Sequence, residues 1–296
     1  MDKERSPGLR LRAAMDEKCV MAPGAFNALC ALAIRDAGFS ACYVSGAATS
    51  VCAGVPDIGV LTLDHFSKVV NEVATASGLP VLADADTGFG EEEMLRRTVV
   101  EYARAGAAGL HVEDQVFPKR CGHLDGKALI PLDQACSKVR WARMAADDLR
   151  EPGFVVCART DARGVEGFDA AVERARAYVE SGADMIFPEG LASEAEFAKF
   201  AGAMSSLPNR PYLLANMTEF GKTPHISAER FGSMGYSIVI YPVTMLRVAM
   251  GAVTRALETL REQGGVESLL NTMQTRQQLY AAIGYTPGTP WEFPAR

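Results

Sequence analysis

A glycine followed by a short apolar run recurs four times in this chain, and no other feature limits its fold so tightly. Gly38 precedes ACYVS, Gly106 precedes AAGLHVE, Gly182 precedes ADMIFPE and Gly235 precedes YSIVIYP. This is the signature of a helix that stops and a strand that starts, because glycine takes the left-handed position after a helix at no steric cost. Seven residues beyond each glycine stand Ser45, Glu113, Glu189 and Pro242, where each apolar run meets polar chemistry, so the spacing predicts equivalent strand ends. Further strand-like runs lie between them: VMAPG from Val20, PVLADAD from Pro80, FVVCARTD from Phe154 and PYLLANMTE from Pro211. Helical periodicity fills the gaps, as in Glu91 to Arg104, Phe168 to Glu180, Ser193 to Met204 and Thr244 to Glu262. Eight strand–helix units over about 240 residues are the arithmetic of an α/β chain folded as a (β/α)8 TIM-type barrel. A doubly wound sheet is the competing layout, but the first strand is not followed by a Gly-rich phosphate fingerprint.

The chain has 296 residues, 48% of them hydrophobic, and no linker divides it, so 1–296 reads as a single barrel domain. Residues 264–296 continue past the eighth unit as a C-terminal extension, with an amphipathic segment from Val266 to Ile283 and a Pro-rich end; a packing or oligomer role is expected. The 30 basic and 36 acidic side chains are interspersed, so no basic stripe offers counterion release and nucleic acid is not an expected partner. No run approaches 18 uncharged apolar residues and the N-terminus has no apolar signal core, so a cytoplasmic protein without a membrane partner is expected. The seven cysteines are odd in number, and Cys42, Cys52 and Cys157 sit in small or apolar runs, so a disulfide framework is not expected.

Barrel enzymes carry their chemistry at the C-terminal ends of the strands. Here those ends read Ser45-Gly46-Ala47, Asp84-Ala85-Asp86, Glu113-Asp114, Arg159-Thr160-Asp161, Glu189, Asn216-Met217-Thr218, and Arg247 just beyond strand eight. Asp84 and Asp86 are two apart, which on a strand projects both carboxylates to one side. Two crowded carboxylates need a cation or a shared proton, and oxygen donors of this kind suit Mg2+; a structural acidic pair is the other reading. Lys119-Arg120-Cys121-Gly122-His123 places a thiol among cationic groups, which lowers its pKa and suits it to proton transfer, although a solvated basic loop has the same composition. Arg159 emerges from an apolar run, so an anionic partner for its guanidinium is expected. His111, inside a strand, reads as a hydrogen-bonded core residue.

KRCGH at Lys119 to His123 resembles the signature loop of the isocitrate lyase superfamily, in its isocitrate and methylisocitrate lyase branch. The phrases LADADTGFG, AGLHVEDQ, ARTDA, EGFDAAVERARAYVESGADMIFPE, LLANMTEFG and NTMQTR are similar to that branch in the same order, from about residue 10 to 285. The resemblance implies a barrel whose last helix is exchanged between paired subunits, within a homotetramer. It implies Mg2+, with Mn2+ as a substitute, at Asp84 and Asp86, with Asp57 and Glu113 nearby through water. It implies substrate contacts from Ser45, Gly46, Ala47, Cys121, Gly122, Arg159, Glu189, Asn216, Thr218, Arg247 and Arg276. Many relatives are richer in glycine where this chain has Ala47-Ala48, which should stiffen that loop. The activity implied is cleavage of the small-molecule carboxylate 2-methylisocitrate to pyruvate and succinate, a step of propionate catabolism in the methylcitrate cycle. Cys121 would act as general acid, Lys119, His123 and Arg159 would stabilise the developing charge, and Tyr43, its pKa lowered by Arg159, would take the hydroxyl proton.

Phosphoenolpyruvate mutases, phosphonopyruvate hydrolases and oxaloacetate decarboxylases share the implied barrel but lack the KRCGH loop, and isocitrate lyases are longer and carry Trp where this chain has Phe187. A 2,3-dimethylmalate lyase differs by small pocket changes and is the alternative. A non-catalytic binding barrel would keep the core and lose the polar strand ends.

Overall fold

The computed structural model describes residues 6–120, 122, 126–221 and 223–292. Helix α1 (Pro7–Glu17) opens the chain, followed by β1 (Val20–Pro23), α2 (Ala28–Asp36), β2 (Cys42–Val44), α3 (Gly46–Cys52), α4 (Leu63–Ser77), β3 (Val81–Asp84), α5 (Glu92–Arg104) and β4 (Gly109–Glu113). The second half runs α6 (Leu132–Asp147), β5 (Val155–Thr160), α7 (Ala162–Val165), α8 (Phe168–Glu180), β6 (Met185–Pro188), α9 (Glu194–Ser205), β7 (Tyr212–Asn216), α10 (Ala228–Met234), β8 (Ile238–Tyr241) and α11 (Thr244–Gln263). A 3-10 turn, Glu267–Thr272, and α12 (Arg276–Ala282) follow. All eight strands pair in parallel, in the order β1-β8-β7-β6-β5-β4-β3-β2. The remaining seam is closed by a parallel bridge between Gly24 and Tyr43, where the Ala25 N–H donates to the Tyr43 carbonyl at 2.8 Å. This is the expected (β/α)8 barrel.

The periodicity that predicted it has a direct physical basis. Gly38, Gly106, Gly182 and Gly235 have φ of 85°, 94°, 101° and 96°, left-handed values that end a helix and turn the chain into a strand. Strands covered on both faces read as continuous apolar runs, yet alternation still sorts their side chains. Tyr43, Leu82, Cys157, Met185, Phe187, Leu214, Ile238 and Ile240 pack together inside the barrel, while Cys42, Val44, Val81 and Ala83 face the helices. The next inward positions up the barrel are Ser45, Asp84, Arg159, Glu189 and Asn216. Alternation thus carries an apolar interior upward into a polar mouth.

Two expectations need correction. Ser45-Gly46-Ala47 is the start of α3 and not an open loop: the Ser45 hydroxyl accepts the Ala48 N–H at 3.3 Å, and alanines at 47 and 48 favour helix. The tail segment Val266 to Ile283 is not one continuous amphipathic element. Met273 is extended, and a capping box between Thr275 and Gln278 starts a new helix.

Helix α1 plugs the N-terminal end of the barrel. Leu11, with no exposed surface, and Met15 join the apolar interior cluster, and Arg12 donates to the Gly153 and Phe154 carbonyls and pairs with Asp184 at 2.8 Å. Leu11→Ala should therefore lower stability by about 2–5 kcal/mol with little change in turnover, since it lies at the end away from the chemistry. Urea unfolding and a rate assay on the same sample check this; an unchanged midpoint would remove α1 from the core.

Helix α11 behaves differently from its counterparts. Its only buried residue is Leu246, while Met250, Val253, Leu257 and Leu260, spaced to form one stripe, are exposed. No described helix is long and apolar enough to cross a membrane.

Candidate active site

The polar mouth begins at the end of β3. Asp84 accepts two backbone N–H groups, from Gly46 through Oδ2 and from Asp86 through Oδ1, both at 3.0 Å. The strand ends at Asp84, and Asp86 lies beyond it with φ 46°, so the left-handed turn, and not strand alternation, brings the two carboxylates together. A side chain at Gly46 would stand 2.7 Å from Asp84 Oδ2 and 3.0 Å from Asp86 Oδ1, which is why the start of α3 can sit so close. Lys119 closes this corner: its ammonium bonds to Asp57 and lies 2.8 Å from Asp86 Oδ1.

Burial resists ionisation of Asp84, but His111, Lys119, Arg159 and the Asp86 N–H outweigh it and bring its carboxyl to about 2. Burial and the charge of Asp84 push Asp86 the other way, to about 6, against the pull of Lys119. Burial raises Glu113 well above the usual carboxylate range.

Arg159, on β5, organises the opposite wall. Its guanidinium reaches Asp161 at 2.9 and 3.2 Å, Glu113 at 3.2 Å and Glu189 at 3.6 Å, and lies over the Phe187 ring at 5.2 Å. The expected anionic partner is thus three carboxylates. Strand register makes this possible, since Glu113, Arg159 and Phe187 are direct neighbours across β4, β5 and β6. Asn216 donates to Glu189 at 3.2 Å, and Arg247 donates to the carbonyl and carboxylate of Glu219 at 2.7 and 2.8 Å and to the Thr218 hydroxyl at 3.5 Å.

A cavity of about 80 Å³ joins these walls, lined among others by Tyr43, Ser45, Ala47, Asp57, Asp84, Gly122, Arg159, Phe187, Glu189, Asn216, Thr218 and Arg247. A larger cleft of about 570 Å³ is lined in part by Asp86, but the convergence of carboxylates and guanidinium marks the smaller cavity as the chemical one. A Cβ at Gly122 would collide with the Arg159 guanidinium and Glu189, so the loop backbone lies directly against both.

The phosphoenolpyruvate phosphomutase family model matches residues 11–261. A probable 2-methylisocitrate lyase of Corynebacterium glutamicum is 51% identical over 263 residues, 89% of this chain and 84% of its own. The chain belongs to the phosphoenolpyruvate mutase/isocitrate lyase family. Among solved structures of this family, an oxaloacetate acetylhydrolase in complex with 3,3-difluorooxalacetate superposes with a TM-score of 0.88 at 34% identity, over 94% of this chain and 93% of that one. A 2,3-dimethylmalate lyase superposes with a TM-score of 0.86 at 36% identity, over 94% of this chain and 91% of that one.

Of the residues the sequence pointed to in this family member, two lie outside the described residues, Cys121 and His123. Arg276 begins α12, is exposed and does not line the cavity, so this chain does not bring it to its own site. Tyr43 lines the cavity, but its phenol is not lowered. Burial and then Asp84 push it well above its ordinary value, and the opposing effect of Arg159 is smaller. Its hydroxyl lies 2.7 Å from His111 Nε2, and burial lowers that imidazole to about 4, so the ring is neutral near pH 7.

The residues present suit a hard divalent cation. Buried Glu113 meets the Arg159 guanidinium at 3.2 Å, but among the described residues neither of its carboxylate oxygens has a partner in hydrogen-bond geometry, and burial together with the charge of Asp84 holds Asp86 high, so the corner can accept more positive charge. Among the described residues no three His, Cys, Asp or Glu side chains form a complete ligand set. Asp84 and Asp86 offer two carboxylates at one corner, and Mg2+ takes one or two carboxylates and leaves its other positions to water and substrate.

Sequence reasoning named Asp161 only as part of a strand end and passed over Lys127. Lys127 donates to Asp161 at 2.6 Å and to the Gly122 carbonyl. No spacing signal pairs residues 34 apart.

Proposed function

We propose that the substrate of this carbon–carbon lyase is 2-methylisocitrate, cleaved to pyruvate and succinate as a step of propionate breakdown, with Mg2+ or Mn2+ in the site. The observation that carries the reading is the cavity in which Asp84 faces Arg159 with the KRCGH loop glycine packed against the guanidinium. One wall suits a cation and the other a carboxylate, as a tricarboxylic substrate requires. Asp84 and Asp86 would hold the metal, with Asp57 and Glu113 through water. When bound, the ion would polarise the substrate's hydroxyl and carboxylate oxygens.

The remaining work falls to side chains. Arg159 and Arg247, with Lys119 and His123, bind substrate carboxylates and stabilise the charge that gathers on the departing fragment. Tyr43 would hold the substrate hydroxyl by hydrogen bond and pass its proton on toward His111, a transient relay because the phenol is held protonated and the imidazole is a weak base. The carbon–carbon bond then breaks, its electron pair passes to the succinate fragment, and Cys121 supplies the proton that completes succinate. The exposed stripe of α11 supports exchange of this helix between paired subunits of a homotetramer, and Arg276 would reach a site only within that assembly.

Phe187 shapes the apolar side of the cavity, edge-on to His111 at 5.3 Å and beneath Arg159. Phe187→Trp should shift the ratio of specificity constants from 2-methylisocitrate toward isocitrate roughly tenfold or more, as one methyl-sized contact is worth about 1–3 kcal/mol. An unchanged ratio would remove Phe187 from substrate choice. The reading itself is tested by identifying the 2-oxo acid released, pyruvate from 2-methylisocitrate, 2,3-dimethylmalate or oxaloacetate and glyoxylate from isocitrate, each with Mg2+ and with chelator. Preference for dimethylmalate, the substrate in the name of a structural relative, would replace it.

A further inference from the structure

Two buried polar side chains stand at the stem of the loop that carries KRCGH. The stem is closed by a bridge between Gln115 and Leu129 and by the Val116 N–H donating to the Ala128 carbonyl at 2.8 Å. The Gln115 side chain, 1% exposed as a residue, lies along the backbone of one loop residue: Nε2 donates to the Arg120 carbonyl at 2.8 Å and Oε1 accepts the Arg120 N–H at 3.0 Å. From the other arm of the stem, the Lys127 ammonium donates to the Gly122 carbonyl and to Asp161 Oδ1 at 2.6 Å, with 6% of its side chain exposed. Arg120 and Gly122 are the two neighbours of Cys121 in the chain. Each is tied by a side chain from the stem, so the backbone on both sides of the thiol is fixed by groups that do not themselves line the cavity.

Lys127 holds a second partner as well. The Asp161 carboxylate it binds accepts both Arg159 donors, Nε at 2.9 Å and Nη2 at 3.2 Å, and the Asp161 N–H is anchored on Asp114 at 3.0 Å. One ammonium therefore links the loop backbone to the carboxylate that orients the guanidinium facing substrate.

We propose that Gln115 and Lys127 are positioning residues for the lyase reaction, Gln115 setting the loop alone and Lys127 setting the loop and Arg159 together. The proposal rests on the lyase reading above, with Cys121 as the proton donor. The two roles predict different kinetics. Gln115→Leu should lower kcat about 10²-fold, the effect of a misplacement of roughly 1 Å at the reacting centre, with KM within about threefold of wild type. Lys127→Met should lower kcat similarly and also raise KM about tenfold or more, because Arg159 loses its anchor. In Lys127→Ala, added ethylammonium should restore part of kcat in a saturable manner. Gln115→Glu, which keeps the acceptor for the Arg120 N–H, serves where Gln115→Leu does not fold, and should fall between wild type and that variant. The measurements are steady-state pyruvate release by the full chain with Mg2+, alongside a thermal midpoint for each variant. Wild-type kcat and KM in the folded variants overturn the proposal, and so does a loss confined to thermal stability. A wild-type chain that releases neither pyruvate nor, in the case of isocitrate, glyoxylate from any of the four acids overturns the lyase reading and this proposal with it.

Discussion

Asp84→Asn should lower turnover by at least about 10³-fold, the largest effect expected of any single substitution in this chain, while leaving the barrel folded. Stabilisation of charge by a bound cation is worth several kcal/mol in the transition state, and each 1.4 kcal/mol is a factor of ten in rate. Asp84 is the more acidic carboxyl of its pair, at about 2, so it is the permanent charge of the metal corner. Asparagine keeps the shape and one acceptor, but it has no charge. It also presents an amide to one of the two N–H groups now bound, from Gly46 and Asp86, at a cost of about 1–3 kcal/mol. That is less than the 5–15 kcal/mol typical of domain stability. Far-ultraviolet circular dichroism should be unchanged, and Mn2+ binding followed by electron paramagnetic resonance should weaken markedly. Unaltered Mn2+ affinity, or full activity of the wild-type enzyme in chelator, would rule out this corner as the metal site.

Cys121→Ser is the second large effect, a fall in turnover of at least about 10²-fold with substrate binding largely retained. Serine preserves size, but its hydroxyl is a far weaker acid than a thiol among Lys119, Arg120 and His123. In the proposed reading the substrate carboxylates are held by other groups, Arg159 and Arg247, so KM should move little. Near wild-type cleavage by the serine variant would send the search for the proton donor elsewhere. A loss of thermal stability in place of activity would mark the cysteine as structural.

Much of the barrel was legible because its signals are local. A left-handed glycine followed by an apolar run is written within seven residues, and it located Ser45, Glu113, Glu189 and Pro242 at or just past the ends of β2, β4, β6 and β8. The proximity of Asp84 and Asp86 was read correctly from their spacing, although the cause is the backbone turn at Asp86. The short helix α3 was missed because small residues and a serine carry no apolar stripe. The direction of the Tyr43 shift was missed because burial and the opposing charge of Asp84 are properties of the folded interior, invisible in the sequence beside Tyr43. Gln115 grips the backbone of a residue five positions away through its side chain, and Lys127 an aspartate 34 residues away; neither contact leaves a periodic trace.

The alternation of charge around the mouth, from Asp86 through Lys119 to Asp57 on one wall and from Glu113 through Arg159 and Asp161 to Lys127 on the other, has a consequence for the rate. In water, dipoles must rotate to meet a charge that moves during reaction, and that reorganisation is part of the barrier. Here the dipoles are set when the chain folds, and they do not have to be set again at each turnover. The same arrangement sets stability against activity. Groups of opposite charge held out of water can often be replaced by apolar ones of similar volume with a gain of about 1–4 kcal/mol, so a more stable barrel lies close in sequence and would be a slower enzyme.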